Sequence, residues 1–155
     1  MLGAAWVVEH VGSTSVPGLC AKPVIDLALR VPQGPSRDVW LLLMERGGWS
    51  DLMLLGDHEA IFLLGDGVRL AIAHLFTTEQ WPDAHLRLFS NWLRAHDADR
   101  DAYADLKQEL VIAGVWGSDY TRAKAKFVED TVNRARTVRG LHPITHIVEG
   151  AAARG

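Results

Sequence analysis

The chain has 155 residues, 48% hydrophobic and 23% charged, with a formal net charge of −3. That is long enough for one globular domain with a sizeable core, and its mild acidity argues against a bulk nucleic-acid binder, which needs a basic footprint. A single cysteine, Cys20, excludes an internal disulfide framework, and no apolar run approaches the roughly 18–20 residues of a membrane span, so a cytoplasmic protein is expected.

Taken in order, Trp6 to Val11 and Val24 to Val31 read as strands, apolar and β-branched enough to be central. Pro32-Gln33-Gly34-Pro35 marks a turn, after which Ser36 can cap a helix through Arg46, ended by Gly47-Gly48. Ala60 to Leu64 and Val68 to Phe76 flank Gly65-Asp66-Gly67, a strong hairpin signal. Three helices are expected next, over Asp83 to His96, Asp99 to Ala113 and Ser118 to Arg139. From Gly140 the periodicity is lost, so residues 1–139 read as a single domain and 140–155 as a flexible C-terminal tail. The sum is an α+β fold: a small mixed sheet with packed helices and a helical C-terminal half.

The stretch Glu9 to Asp26, EHVGSTSVPGLCAKPVID, carries the chemistry. Gly12-Ser13-Thr14-Ser15 leaves the first strand as a turn of small residues. Glycine removes the Cβ obstacle, and hydroxyls and backbone N–H groups can donate to phosphate. Asp26 then stands alone in an apolar strand, where a charge is costly unless it is paired or ligates a metal. The spacing matches neither a Walker loop nor a dinucleotide fingerprint.

A Gly-Ser turn followed by an acid on the next strand resembles the nucleotidyltransferase fold, the polymerase-beta-like superfamily. The longer string GSTSVPGL, followed by KP and ID, closely resembles the GrpB family within it. The resemblance continues through Trp81, Leu88-Phe89, Trp92-Leu93-Arg94-Ala95-His96, Tyr103 with Lys107, and Tyr120 with Lys124, covering roughly Val8 to Arg134. It implies a sheet of nucleotidyltransferase type and in-line attack on the α-phosphate of a nucleoside triphosphate, with Mg²⁺ held by carboxylates. The fold's usual second acid, two residues after the first, is Ala28 here, as the family's one-acid form also has it. Help with the metal could come from Glu9, Asp57, Glu59 or His74. Family members usually carry His-x-His after an arginine; anchoring on Arg69 puts Ile72 and His74 at those places, so one histidine is kept as a candidate base or ligand. Where the family often shows Phe-Arg-Asp, this chain has Phe89-Ser90-Asn91. Members usually begin with a further helix; either this chain is a shortened variant or its true start lies upstream, and a missing helix would uncover part of the sheet and favour homo-oligomers.

The lysines add independent weight, since twelve arginines accompany only four lysines. Lys22 lies between the hydroxyl turn and Asp26. Tyr103 and Lys107 share one helix face, as do Tyr120 and Lys124, being four residues apart. Lysines there could reach phosphates while tyrosines pack a base or bond a sugar, the alternative being core tyrosines with snorkelling lysines. Of Glu9 and His10, at most one can reach a cleft. Cys20 reads as buried filler, and Arg87, Arg94 and Arg100 as solvated helix charges. Trp81 and Trp116 stand at helix boundaries and could edge a pocket.

The expectation is a Mg²⁺-dependent nucleotidyltransferase. Asp26 holds the metal and His74 assists, while Gly12, Ser13, Thr14, Ser15, Lys22, Tyr103, Lys107, Tyr120 and Lys124 hold the nucleotide. The alternatives are a non-catalytic module for a nucleotide or phosphorylated metabolite, or a specialised-metabolism enzyme reusing the pocket. Because some GrpB domains are fused to dephospho-coenzyme A kinase, the resemblance makes a coenzyme A-related role conceivable.

Overall fold

The structure, a computed structural model, describes residues 5–34 and 36–145. Among these, β1 (Val7–Val11), β2 (Ile25–Arg30), β3 (Trp49–Leu55), β4 (His58–Gly65) and β5 (Val68–Phe76) form one sheet in the order β1-β2-β5-β4-β3. The central pair β2–β5 is parallel and the other neighbours are antiparallel. Helix α1 (Arg37–Arg46) follows β2, and α2 (His85–Ala95), α3 (Asp97–Ile112) and α4 (Gly117–Val138) make a helical second half. The α+β expectation holds, with a mixed sheet.

Local chemistry accounts for the connections. Asp66 and Gly67 both have positive φ, 51° and 76°, which is what a two-residue hairpin turn between β4 and β5 requires. Ser36 starts α1 through its carbonyl, which accepts from the Val39 and Trp40 N–H groups; its side chain makes no cap bond. Strand β3 has no counterpart among the expected elements. Asp51 adopts φ 59° and the pairing with β4 shifts register between Ser50 and Met53, which breaks the alternation a strand shows in sequence.

The period-2 alternation divides the sheet into two buried faces. On one, Leu29, Ile61, Ala73 and Leu75 pack against Trp40 and Met44 of α1. On the other, Val11, Ala28 and Phe76 meet Trp81 and Ala84 at the start of the helical half. The helices share a third cluster, with Leu88, Phe89 and Leu93 of α2 against Tyr103 of α3 and Val128, Val132 and Ala135 of α4. Each large apolar side chain buried there contributes about 1.5–3 kcal/mol. Val16, from the loop after the hydroxyl turn, belongs to this cluster and ties that loop to the helices.

Residues 140–145 run back along α4. The Asn133 side chain donates to the Ile144 carbonyl and accepts from its N–H, both at 2.8 Å. The rest of the expected tail, 146–155, lies outside the described residues. Among the described residues no helix is long and apolar enough to cross a membrane.

Candidate functional site

Gly12 ends β1 with φ 70° and ψ −175°, a region open essentially to glycine alone. The chain then makes one 3₁₀ turn over Ser13–Ser15, closed by the Ser15 N–H and hydroxyl, both donating to the Gly12 carbonyl. Register brings Val11 opposite Asp26, so the turn begins beside that acid. A Cβ at Gly12 would stand 2.5 Å from Asp26 Oδ2. Glycine is therefore required twice, for its backbone angles and for the carboxylate packed over it.

The helical half holds the turn from behind. Gly12 N–H donates to Ser90 Oγ of α2 at 2.9 Å. Arg94, one turn further along α2, donates from Nε to the Ser15 carbonyl and from Nη2 to the His10 carbonyl and Ser15 Oγ, while Asn91 accepts from its Nη1. From α3, the buried Lys107 ammonium donates to Ser13 Oγ at 3.2 Å and to the Cys20 carbonyl. Ser90, Asn91 and Arg94 are thus structural partners of the turn. Arg94 is exposed, as expected, but its guanidinium is committed to the turn.

In front of the turn lies a cleft of about 690 Å³ between the starts of the inner strands β2 and β5 and helices α3 and α4. Its walls bring together Ser13, Thr14, Lys22, Asp26, Lys107, Tyr120 and Lys124, so most of the residues anticipated from sequence meet in one cavity. Arg69, Ile72 and Trp116 line it too. Four cationic side chains (Lys22, Arg69, Lys107 and Lys124) face one carboxylate, Asp26, which favours an anionic occupant. The Tyr120 ring lies 4.8 Å from Lys124 Nζ and 5.6 Å from Lys22 Nζ, placing it between the two ammonium groups. A more open groove of about 560 Å³, lined by Trp92, Asp130, Asn133, Arg134, Thr137 and Val138, has no comparable set of chemical groups.

Asp26 also faces the sheet. His74 pairs in register with Ala28, two residues beyond Asp26, so its ring lies next to the place where the fold's usual second acid would project. Its Nε2 is 3.5 Å from Asp26 Oδ1. Its Nδ1 is 2.9 Å from His58 Nε2, and His58 Nδ1 is 3.0 Å from Asp57 Oδ1. A row Asp26–His74–His58–Asp57 therefore crosses the sheet from the cleft to the β3–β4 turn. A third buried histidine, His85, adjoins His58 with ring centroids 5.4 Å apart. Burial lowers the pKa of both His58 and His85, pushing His85 down to about 4, where the neighbouring His58 reinforces it.

Other expectations are corrected by the packing. Tyr103 is 1% exposed, stacked on Phe127 and edge-on to Phe89, so it belongs to the helical core and not to a cleft wall. Cys20 is exposed at the cleft rather than buried filler. Ser15 is taken up by the turn and by Arg94. Glu9 is committed to Arg87, whose guanidinium also stacks on Trp81 at 4.1 Å, so Arg87 is not the solvated charge expected. Trp81 packs in the core, the default reading for the tryptophans, and lines neither cavity. His10 bonds Thr14 at 2.8 Å. Glu59 pairs with Arg37, away from Asp26. The sequence does not single out His58 and His85, because their mutual contact and that of His58 with His74 join distant segments. Ser90 stands out there only as a departure from the family's Phe-Arg-Asp, not as a partner of the turn.

The GrpB family (GrpB protein) matches residues 1–134. The chain belongs to the GrpB family. A UPF0157 protein of Halalkalibacterium halodurans is 35% identical over 131 residues, covering 83% of this chain and 66% of its own length. One of Streptomyces coelicolor is 31% identical, covering 89% and 73%, and one of Pseudomonas aeruginosa is 35% identical, covering 96% and 61%. The chain thus spans about two thirds of the length of these relatives. The crystal structure of conserved protein GrpB from Enterococcus faecalis superposes with a TM-score of 0.73 at 28% identity, over 86% of this chain and 82% of that one. The fold described above is the GrpB fold.

Proposed function

We propose that the cleft binds a nucleotide and transfers its nucleoside monophosphate to a small acceptor. The observation that carries this reading is the convergence of the hydroxyl turn, Asp26 and four cationic side chains on one cavity. Ser13 and Thr14 would donate to phosphate, Lys22 and Lys124 would neutralise it, and Lys107 would do so while holding the turn. Tyr120 would pack the base or sugar.

Asp26 Oδ2 lies against the turn at Gly12, beside the place a phosphate would occupy. Two anions there need a cation between them. The donors on hand are hard oxygens, a carboxylate and two hydroxyls, and Mg²⁺ is commonly held by one or two carboxylates plus substrate phosphates. The residues therefore fit one Mg²⁺ held by Asp26. They do not fit a two-carboxylate clamp, since Ala28 is fully buried and carries no ligand. When bound, the ion would neutralise phosphate charge and raise the acidity of the attacking hydroxyl. His74, whose Nε2 stands 3.5 Å from Asp26 Oδ1, would engage that oxygen and leave Oδ2 for the cleft. In the transfer the acceptor hydroxyl would release its proton to solvent as its oxygen bonds to the α-phosphorus, the bond to the bridging oxygen would break, and pyrophosphate would leave.

The test is pyrophosphate release from a nucleoside triphosphate panel with Mg²⁺ and small hydroxyl acceptors. Release that is abolished in Asp26→Asn supports the reading. The single carboxylate favours a second reading, a module that binds a nucleotide or phosphorylated metabolite without turnover. Saturable binding with no release would select it.

A further inference from the structure

Asp57, His58 and His85 form a cluster that the cleft does not use. Their ligand atoms lie within 4.8 Å of one another. Two segments meet there: the adjacent pair Asp57-His58, where the β3–β4 turn enters β4, and His85 at the first residue of α2. His58 and His85 are 3% and 6% exposed, whereas Asp57 opens to solvent and supplies an entry path. His85 Nε2 is buried with no hydrogen-bond partner. A buried, unsatisfied ring nitrogen is costly, a bound ion is one way to satisfy it, and histidine is the commonest metal ligand.

We propose that Asp57, His58 and His85 bind one divalent transition-metal ion of the zinc class, with a fourth position open to water. Two imidazoles and one carboxylate plus water is a three-protein-ligand set with an open place, as zinc takes in its reactive sites. Nitrogen donors favour Zn²⁺, Co²⁺ or Ni²⁺ over Mg²⁺, which separates this centre from the oxygen donors at Asp26. The hydrogen bonding around His58 suits a ligand. Without metal, His58 Nδ1 carries the proton that bonds Asp57; with metal on Nδ1, the proton sits on Nε2 and is donated to His74 Nδ1, 2.9 Å away. That is the outer hydrogen bond metal-bound histidines make, and it fixes the tautomer. His74 then carries its own proton on Nε2, towards Asp26. The ion would thereby set the direction of the whole row from 57 to 26.

The site rests on observations other than those behind the nucleotide reading, and the experiment keeps the two apart. The full chain is stripped with chelator, then titrated with Zn²⁺ by calorimetry and with Co²⁺ by visible absorption. One equivalent should bind, with the ligand-field bands of a four- or five-coordinate Co²⁺ centre. Asp57→Asn, on an exposed residue that leaves the core intact, should weaken Zn²⁺ binding by about tenfold or more, as should His85→Gln. Asp26→Asn should bind as the parent does. No binding by the parent, unchanged binding in Asp57→Asn, or loss confined to Asp26→Asn would overturn the proposal. If His85→Gln fails to fold by circular dichroism, Asp57→Asn decides alone.

Discussion

Asp26 Oδ2 occupies the space that a Cβ on Gly12 would fill, 2.5 Å from where that carbon would stand. Two residues fourteen apart in sequence are thereby locked together at the join of β1 and β2. The hydroxyl turn leaves the sheet at the angle it does because nothing projects from Gly12 towards the carboxylate. The cleft's anion-binding edge and its one acid are a single unit.

Gly12→Ala should therefore be damaging out of proportion to one methyl. The backbone strain alone costs of order 1–3 kcal/mol, and relief must push Asp26 or the turn aside. A lowered midpoint in urea, with loss of ligand binding even where the protein still folds, is the expected pair of outcomes.

Ser90→Ala removes the acceptor of the Gly12 N–H and leaves that group partly buried and unbonded. A loss of about 1–3 kcal/mol in denaturant unfolding is expected. Ser90 is itself fully buried, so a Ser90→Gly control would separate the lost bond from lost packing only crudely; Ser90→Thr, which keeps the hydroxyl, is the better comparison.

Glu9 gives a pH signature. The hydrogen bond from the Arg87 guanidinium holds its carboxyl below the usual glutamate range, with the charge of Arg87 adding to the effect against a smaller cost of burial. A lowered folded value means the unfolded chain binds the proton first as pH falls. The pair's contribution is complete above the ordinary glutamate range and fades as pH drops through the folded value. The stability gap between the parent and Glu9→Gln, measured by thermal melts across that range, should shrink steadily with acid. A gap independent of pH would refute the assignment.

Lys124 and Lys107 should separate binding from folding. Lys107 is buried and donates to Ser13 and the Cys20 carbonyl, so Lys107→Ala should lower both stability and ligand affinity. Lys124→Ala should lower the melting temperature less than Lys107→Ala does and weaken a phosphorylated ligand about tenfold, the loss of affinity shrinking as salt rises. Calorimetry at two ionic strengths reads both.

How much was legible in the sequence follows from how local each signal is. The Gly-Ser-Thr-Ser turn, the lone acid on its strand and the Gly-Asp-Gly hairpin are contiguous, and each took its expected place. β3 was hidden because Asp51 and the neighbouring register shift disturb its alternation. Four-residue spacing correctly put Tyr103 and Lys107 on one side of α3, but spacing does not say which side meets the core. There the ring of Tyr103 turns to Phe89 and Phe127 while Lys107 reaches past it to the turn. The histidine row and the Ser90 contact join segments far apart in the chain, and no window of sequence contains them.

The central claim is tested most directly by amide chemical-shift mapping of nucleotide binding, with and without Mg²⁺, in the parent and in Asp26→Asn. The account predicts that a nucleoside triphosphate shifts the amides of Gly12, Ser13, Thr14 and Lys22 together, and that Mg²⁺ enlarges those shifts in the parent but not in Asp26→Asn. Shifts clustered away from the turn, or an identical Mg²⁺ response in both proteins, would contradict it.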